Sequence, residues 1–330
     1  MPDLRLSLGC WNYDRTRALQ DGSIKPDGID LVYLDMPVEE TFFRMLRHRE
    51  FDIAEMSLSS YVVSLSRDPQ PFIALPVWPS RFFRHSSIYI HTGSGIHQPS
   101  DLRGKRVGNP EYQMTAPVWI RGILQDEYGV PVDSVRYVTG GEEEPGRSEK
   151  LKLDLPDNID VEPIKPDQTL AKMLADGEIA ALQTARMPST ARTRPEKVRR
   201  LFPDYVDVER DYFRRTRIFP IMHTVVVRRE LYDAHPWIAM SLTKAFAAAQ
   251  KRTYDDLQQT AALKTMLPWL IAHVEDARRE LGEDFWPYGF APNRHVLDTF
   301  LRYHHEQGLS KRRLKPEELV APETLERFRI

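Results

Sequence analysis

The stretch PFIALPVWPSRFFRHSSIYIHT (Pro71–Thr92) sets two apolar, strand-like runs, PFIALPV and SSIYIHT, on either side of a cationic connector. That connector, PSRFFRHSS (Pro79–Ser87), carries Arg81, Arg84 and His85 beside Phe82 and Phe83. A surface loop needs polarity, but this combination of cations, hydroxyls and rings suits a flat, anionic small molecule. The run before it closes one strand-and-helix series, and the run after it opens another. Where the two series meet therefore decides the fold.

Upstream, Leu4, Leu6 and Leu8 alternate with polar residues, and IDLVYL (29–34) follows a turn at Gly28. FDIAEMS (51–57) follows the helical stretch 39–48, and PFIALPV follows another at SLSSYVVSLSR (57–67). Strands separated by helix-length segments predict βαβ units and a mainly parallel sheet. Ligands of such sheets bind beyond the carboxyl ends of the strands. Here those ends are CWNYDR (10–15), EMSLS (55–59) and PVWPSRFFRH (76–85).

Downstream, SSIYIHT is a strand, DLRGKRVG (101–108) leads into another, and NPEYQMTAPVWIRGILQDEYGV (109–130) reads as loop and helix ending at Gly129. VRYVTG (135–140) is the next strand, 140–158 is an excursion rich in Gly, Pro and charge, DQTLAKMLADG (167–177) is a short helix, and EIAALQT (178–184) is a strand. After FPIMHTVVVRRE the chain becomes helical almost to its end, with HPWIAMSLTKAFAAAQKRTYDDL (235–257) the strongest helical pattern. The strand-like segments 86–92 and 218–228 bracket the second series. They predict a discontinuous first lobe, 1–88 with 225–330, and a continuous second lobe, 89–224. Such a plan leaves an interdomain cleft that closes on a ligand by hinge motion.

Composition narrows the function. A chain of 330 residues is too long for one ordinary core, and 41% hydrophobic with 10% aromatic content describes a folded globular protein. The net charge of −2 calls for neither nucleic acid nor an anionic membrane. The single cysteine, Cys10, excludes a disulfide framework and a cysteine-based zinc site. The histidines show no spaced metal-site pattern, and there is no Gly-rich phosphate loop or G-x-S-x-G turn. MPDLRLSLGCWNYDR has no signal-peptide pattern and no apolar run approaches a membrane span, so the expectation is a cytoplasmic protein.

Several long blocks carry a resemblance. GCWNYDRTRAL (9–19), FDIAEMSLSSYV (51–62), PVWPSRFFRHSSIYI (76–90), DLRGKRVGNPEYQMTAPVWIRGILQDEYGV (101–130) and RIFPIMHTVVVRRE (217–230), with PWIAMSLTKAFAAAQ (236–250) and DFWPYG (284–289), resemble the 4,5-dihydroxyphthalate decarboxylase family over nearly the whole chain. The resemblance implies a two-lobed α/β architecture similar to type II periplasmic binding proteins, with a helical C-terminal region. It also implies non-oxidative decarboxylation of a hydroxylated aromatic dicarboxylate, 4,5-dihydroxyphthalate to 3,4-dihydroxybenzoate or a close analogue. In GEIAAL (177–182) the chain departs from its relatives, which usually carry Asp at the position of Ala180.

That chemistry replaces a ring carboxylate with a proton. A para-hydroxyl pushes electron density to the carbon bearing the carboxylate, and a general acid protonates it. The hydroxyls supply the electrons, so no metal or organic cofactor is expected. Arginine suits carboxylate capture because its planar fork bonds both oxygens, and histidine suits proton delivery because its pKa lies near working pH. Arg81 and Arg84 are the clamp candidates, with an ion pair as the alternative for Arg84. His85 is the first candidate acid, against a purely structural histidine. His223, in the second crossing segment, is carried beside it, against a buried core histidine. Glu55 ends its strand with Ser57 just beyond; it would accept from ring hydroxyls or neutralise Arg81. Tyr13 and Arg15 follow the first strand toward the cleft. Tyr112, Gln113 and Thr115 stand at a helix start, whose free amides attract anions and would form the opposite jaw.

A second reading from another class stays open: a solute-binding protein for an aromatic or heterocyclic anion, with the same lobes and no catalysis. Two titratable histidines near one cleft favour the enzyme. The expected partner is a small aromatic carboxylate, with no nucleic acid and no membrane, and a homo-oligomer is left open.

Overall fold

The computed structural model describes residues 3–326. In chain order the strands are β1 (Leu4–Cys10), β2 (Ile29–Asp35), β3 (Ile53–Ser57), β4 (Phe72–Arg81), β5 (Ile88–His91), β6 (Arg106–Asn109), β7 (Arg136–Thr139), β8 (Val161–Pro163), β9 (Ala181–Gln183), β10 (Val198–Arg200) and β11 (Ile221–Arg228). They fall into two compact units. Met1–Arg81, Ile221–Leu297 and Lys315–Ile330 make the first, and Phe82–Pro220 with Asp298–Leu314 make the second.

The first unit is built on a five-stranded sheet in the order β2-β1-β3-β11-β4. β1 runs parallel to β2 and β3, whereas β11 runs antiparallel to both β3 and β4. The sequence reading expects a mainly parallel sheet, and β11 is the departure. β4 leaves the sheet at its carboxyl end, and β11 re-enters at that same end (Ile221 lies opposite Arg81), so it must run the other way. Strand alternation then sorts the faces. Leu6, Leu8, Ile53, Leu75, Val77, Val225 and Val227 share one core with Ile238, Leu242 and Phe246 of the helix Trp237–Leu257. The helix Val38–His48 starts with Glu39 and Glu40 and ends with Arg47 and His48, charges that complement its dipole. Its buried positions include Phe42 and Met45.

The second unit carries a six-stranded sheet in the order β10-β5-β9-β6-β7-β8. β6, β7, β8 and β9 are parallel, while β5 is antiparallel to β9 and β10. The helix Thr115–Tyr128 ends at Gly129, whose φ of 60° is the left-handed conformation that the sequence signal anticipates. Residues 140–160 hold neither helix nor strand. β8 and β10 have three residues each, too few for a periodic pattern, and the sequence reading passes over them.

The changeovers fall at 81/82 and 220/221 instead of 88/89 and 224/225, and the tail differs as well. The sequence reading assigns everything after 225 to the first lobe, whereas Asp298–Leu314 packs with the second unit. The Tyr303 ring meets Trp119 edge-on at 5.7 Å and fills the space that a Cβ on Gly122 would need. Gly122 is what lets the two segments approach. Among the described residues, no helix is long and apolar enough to cross a membrane.

Candidate active site

Three strand ends of the first unit converge on one carboxylate. Glu55 lies near the end of β3 and is fully buried. Its Oε1 accepts the Tyr13 hydroxyl at 2.6 Å and faces His223 Nδ1 at 2.6 Å. Its Oε2 accepts the Trp11 backbone N–H at 3.1 Å and lies 3.7 Å from Cys10 Sγ. Trp11 and Tyr13 follow β1 in a tight turn, which the Tyr33 hydroxyl pins through Trp11 O at 2.8 Å and Thr16 Oγ1 at 2.9 Å. His223 sits on β11 with Ser57 of β3 opposite on one side and Ser80 of β4 on the other. The Phe42 ring meets its imidazole edge-on at 4.9 Å.

The electrostatics follow from this packing. Burial alone would push the Glu55 carboxyl up, but the bond and charge of His223, with the donors Tyr13 and Trp11, overcome it and hold the carboxyl below its usual range. Burial and then the Glu55 charge push the Tyr13 phenol and the Cys10 thiol upward, so both keep their protons beside the carboxylate. A carboxylate accepts only, so His223 presents Nδ1–H to it. That leaves Nε2 with no hydrogen bond among the described residues, on a side chain 17% exposed.

Arg15 stands next to this cluster. Its guanidinium lies 4.1 Å from the Tyr13 ring centroid and 4.5 Å from that of Trp286. Nε donates to Pro79 O at 2.6 Å and Nη1 to Asp14 at 3.0 Å. Two aromatic faces thus hold a cation whose Nη2 makes no hydrogen bond among the described residues, a geometry suited to one oxygen of an anion.

The structure therefore brings together Tyr13, Arg15, Glu55, Ser57 and His223 of the residues expected from sequence. Arg81 has another job. It is buried, and its Nη2 donates to Pro287 O at 2.8 Å and to Asn293 Oδ1. Burial lowers its pKa to about 9. Arg81 ties the loop 284–289 to the end of β4, which corrects its reading as a free clamp.

The remaining expected residues belong to the second unit. His85 is buried in an aromatic cage, 5.4 Å from the Phe202 ring and 5.2 Å from Tyr212. Neither ring nitrogen has a hydrogen-bond partner among the described residues, and burial lowers its pKa to about 4. A neutral imidazole in apolar surroundings is a packing residue, a correction to its reading as the acid. Arg84 is likewise buried, with Nη1 donating to Ser87 Oγ and Ala185 O, both at 3.4 Å. Tyr112 and Gln113 do precede the helix Thr115–Tyr128, but their amides already donate to the chain's own Glu149, and Gln113 Nε2 adds a bond to that carboxylate at 3.0 Å. Thr115 begins the helix and is buried. Ala180 lies just before β9, at its amino end, with its N–H bonded to Arg106 O.

Sequence reasoning misses Trp11, Tyr33, Phe42 and the loop 284–289. The first acts through its backbone, which no side-chain pattern reveals. For the loop a signal exists: DFWPYG is an aromatic, turn-forming cluster inside an otherwise helical tail. Among the described residues, no group of three or more His, Cys, Asp or Glu is arranged to hold a metal ion.

No family model matches the chain. It is 45% identical over 330 residues to the 4,5-dihydroxyphthalate decarboxylase of Comamonas testosteroni, covering all of both chains. It is also 45% identical over 214 residues to that of Pseudomonas putida, covering 65% of this chain and 83% of the relative. Among solved structures it resembles the periplasmic aliphatic sulphonate-binding protein of Escherichia coli, with TM-score 0.53, 14% identity and coverage of 98% and 99%. A sulfonate-binding protein of Methylobacillus flagellatus gives TM-score 0.54, 12% identity and coverage of 98% and 94%. These likenesses establish the periplasmic-binding-protein fold.

Proposed function

The chain belongs to the 4,5-dihydroxyphthalate decarboxylase family, and on that premise we propose that it decarboxylates 4,5-dihydroxyphthalate with His223 as the proton donor. Arg15 holds a substrate carboxylate through its outward nitrogen. The hydroxyl para to the departing carboxylate pushes electron density to the carbon that bears it. His223 delivers the proton from Nε2 to that carbon. The bond to the carboxylate then breaks, its electron pair restores the aromatic ring, and carbon dioxide leaves. Solvent returns a proton to the imidazole. Glu55 fixes the imidazole orientation and tautomer through Nδ1–H, as a buried carboxylate beside a working histidine does. Because the ring hydroxyls supply the electrons, this route calls on no metal or organic cofactor.

The observation that carries the reading is the fully buried Glu55 carboxylate facing His223 Nδ1 at 2.6 Å. A binding site for an aromatic anion has no need of a buried acid holding a histidine in one tautomer. The test is incubation of the purified protein with 4,5-dihydroxyphthalate, following carbon dioxide and 3,4-dihydroxybenzoate. The expected result is equimolar release of both with catalytic turnover. Tight binding without carbon dioxide would replace this reading with solute capture.

A further inference from the structure

The loop 284–289 is held with more bonds than a surface turn needs. Trp286 Nε1 donates to Trp78 O at 2.9 Å, and Trp78 Nε1 donates to Gly289 O at 3.2 Å. The Gly289 N–H reaches Pro76 O at 2.8 Å, and Asn293 Nδ2 bonds both Pro287 O and Gly289 O at 2.9 and 2.8 Å. Arg81 closes the set on Pro287 O. Gly289 itself has φ of 90°, a conformation a side chain would strain. A buried arginine and two tryptophans thus fix this loop to the carboxyl end of β4.

The fixed loop presents two side chains. Trp286 forms one of the aromatic faces holding Arg15. Tyr288 packs against the core that includes Cys10 and Tyr13, and its hydroxyl is buried with no hydrogen-bond partner among the described residues. Leaving a buried hydroxyl unpaired costs roughly 1–3 kcal/mol, and native folds leave few such groups without a reason. The cations whose charge reaches Tyr288 are Arg15 and Arg81, yet burial dominates and pushes its phenol upward, so it keeps its proton and is a donor. A neutral donor two residues from Trp286, whose ring holds the guanidinium proposed to take a carboxylate, has a natural complement in an anionic oxygen of the ligand.

We propose that Tyr288 is a substrate contact whose hydroxyl donates to an oxygen of the carboxylate that Arg15 holds. The anchored loop thereby sets which aromatic acids the site accepts: those with a carboxylate placed to meet both donors. This inference rests on the decarboxylase reading above.

The test compares the parent protein with Tyr288→Phe by calorimetric binding of phthalate, which has the vicinal carboxylates but no ring hydroxyl, together with KM and kcat for 4,5-dihydroxyphthalate. Loss of a hydrogen bond to a charged group is expected to weaken phthalate binding and raise KM by roughly 10–100-fold, with a smaller change in kcat. Because the deleted hydroxyl has no partner among the described residues, Tm is expected to hold or rise. Unchanged affinity and KM in Tyr288→Phe, with the parent active, would overturn the inference and leave the decarboxylase reading standing. A fall in Tm with unchanged affinity would identify a structural hydroxyl and overturn it equally. A parent protein that neither binds phthalate nor turns over 4,5-dihydroxyphthalate would overturn both.

Discussion

Glu55 and His223 are separated by 168 residues in sequence, yet the carboxylate Oε1 and imidazole Nδ1 stand 2.6 Å apart on neighbouring strands. The antiparallel return of β11 beside β3 creates this pairing. Replacing Glu55 by Gln keeps the volume but removes the charge and the tautomer control. The kcat of Glu55→Gln is expected to fall by roughly 10²–10⁴-fold, the range for disabling a general acid, with the protein still folded by circular dichroism. Retention of full turnover would show that His223 needs no buried carboxylate.

The acid limb of the pH profile should follow Glu55. Its carboxyl is held below the usual range in the fold. The stability it contributes is therefore complete above the ordinary carboxylate range and is lost as pH falls through the lowered value. Tyr13→Phe deletes one of the donors that lower it, so the carboxyl should rise and the acid limb of kcat/KM should move to higher pH. An acid limb that stays in place would separate Tyr13 from the titration of Glu55.

Arg15 and Arg81 should part company when replaced. Arg15→Met is expected to raise KM by roughly 10–100-fold, the loss of a charge-assisted bond to carboxylate, with little change in Tm. Arg81→Met removes the guanidinium donor from Asn293 Oδ1 and one of two donors from Pro287 O, and is expected to destabilise the fold by about 2 kcal/mol. Steady-state kinetics and thermal melting on both variants check this division. A KM effect confined to Arg81→Met would restore Arg81 as the clamp.

His85 should matter to folding and not to turnover. Burial lowers its pKa from 6.5 to about 4. The unfolded chain thus binds the proton more readily, and the stability held by the neutral ring is complete above pH 6.5 and lost as pH falls toward 4. His85→Phe should flatten that loss in denaturant titrations while kcat changes by less than about threefold, well short of the loss expected for a general acid.

How much of this was legible in the sequence differs by residue. The alternation of Leu4, Leu6 and Leu8 and the strand-like runs IDLVYL and FDIAEMS mark strands of the first unit, and their carboxyl ends lead to Tyr13, Arg15, Glu55 and Ser57. His223 was visible only as a strand histidine, because its partner depends on a long-range antiparallel pairing that no local pattern encodes. PSRFFRHSS is rich in cations, but sequence cannot separate a guanidinium facing a ligand from one bonded to its own chain. Arg81 is bonded to carbonyl and amide oxygens and Arg84 to a carbonyl and a hydroxyl. The amides of Tyr112 and Gln113, expected from sequence to face a substrate anion, instead donate to Glu149 from the excursion after β7. The exchange of 298–314 into the second unit turned on Gly122 admitting a ring, a close approach that periodicity does not register.

The most direct test of the account is the single-turnover rate of His223→Gln with saturating 4,5-dihydroxyphthalate, read as carbon dioxide release beside the parent and His85→Phe. The account expects His223→Gln to bind substrate but release carbon dioxide roughly 10²–10⁴-fold more slowly, with His85→Phe close to the parent rate. Near-parent release from His223→Gln, with release abolished in a folded His85→Phe, would contradict it.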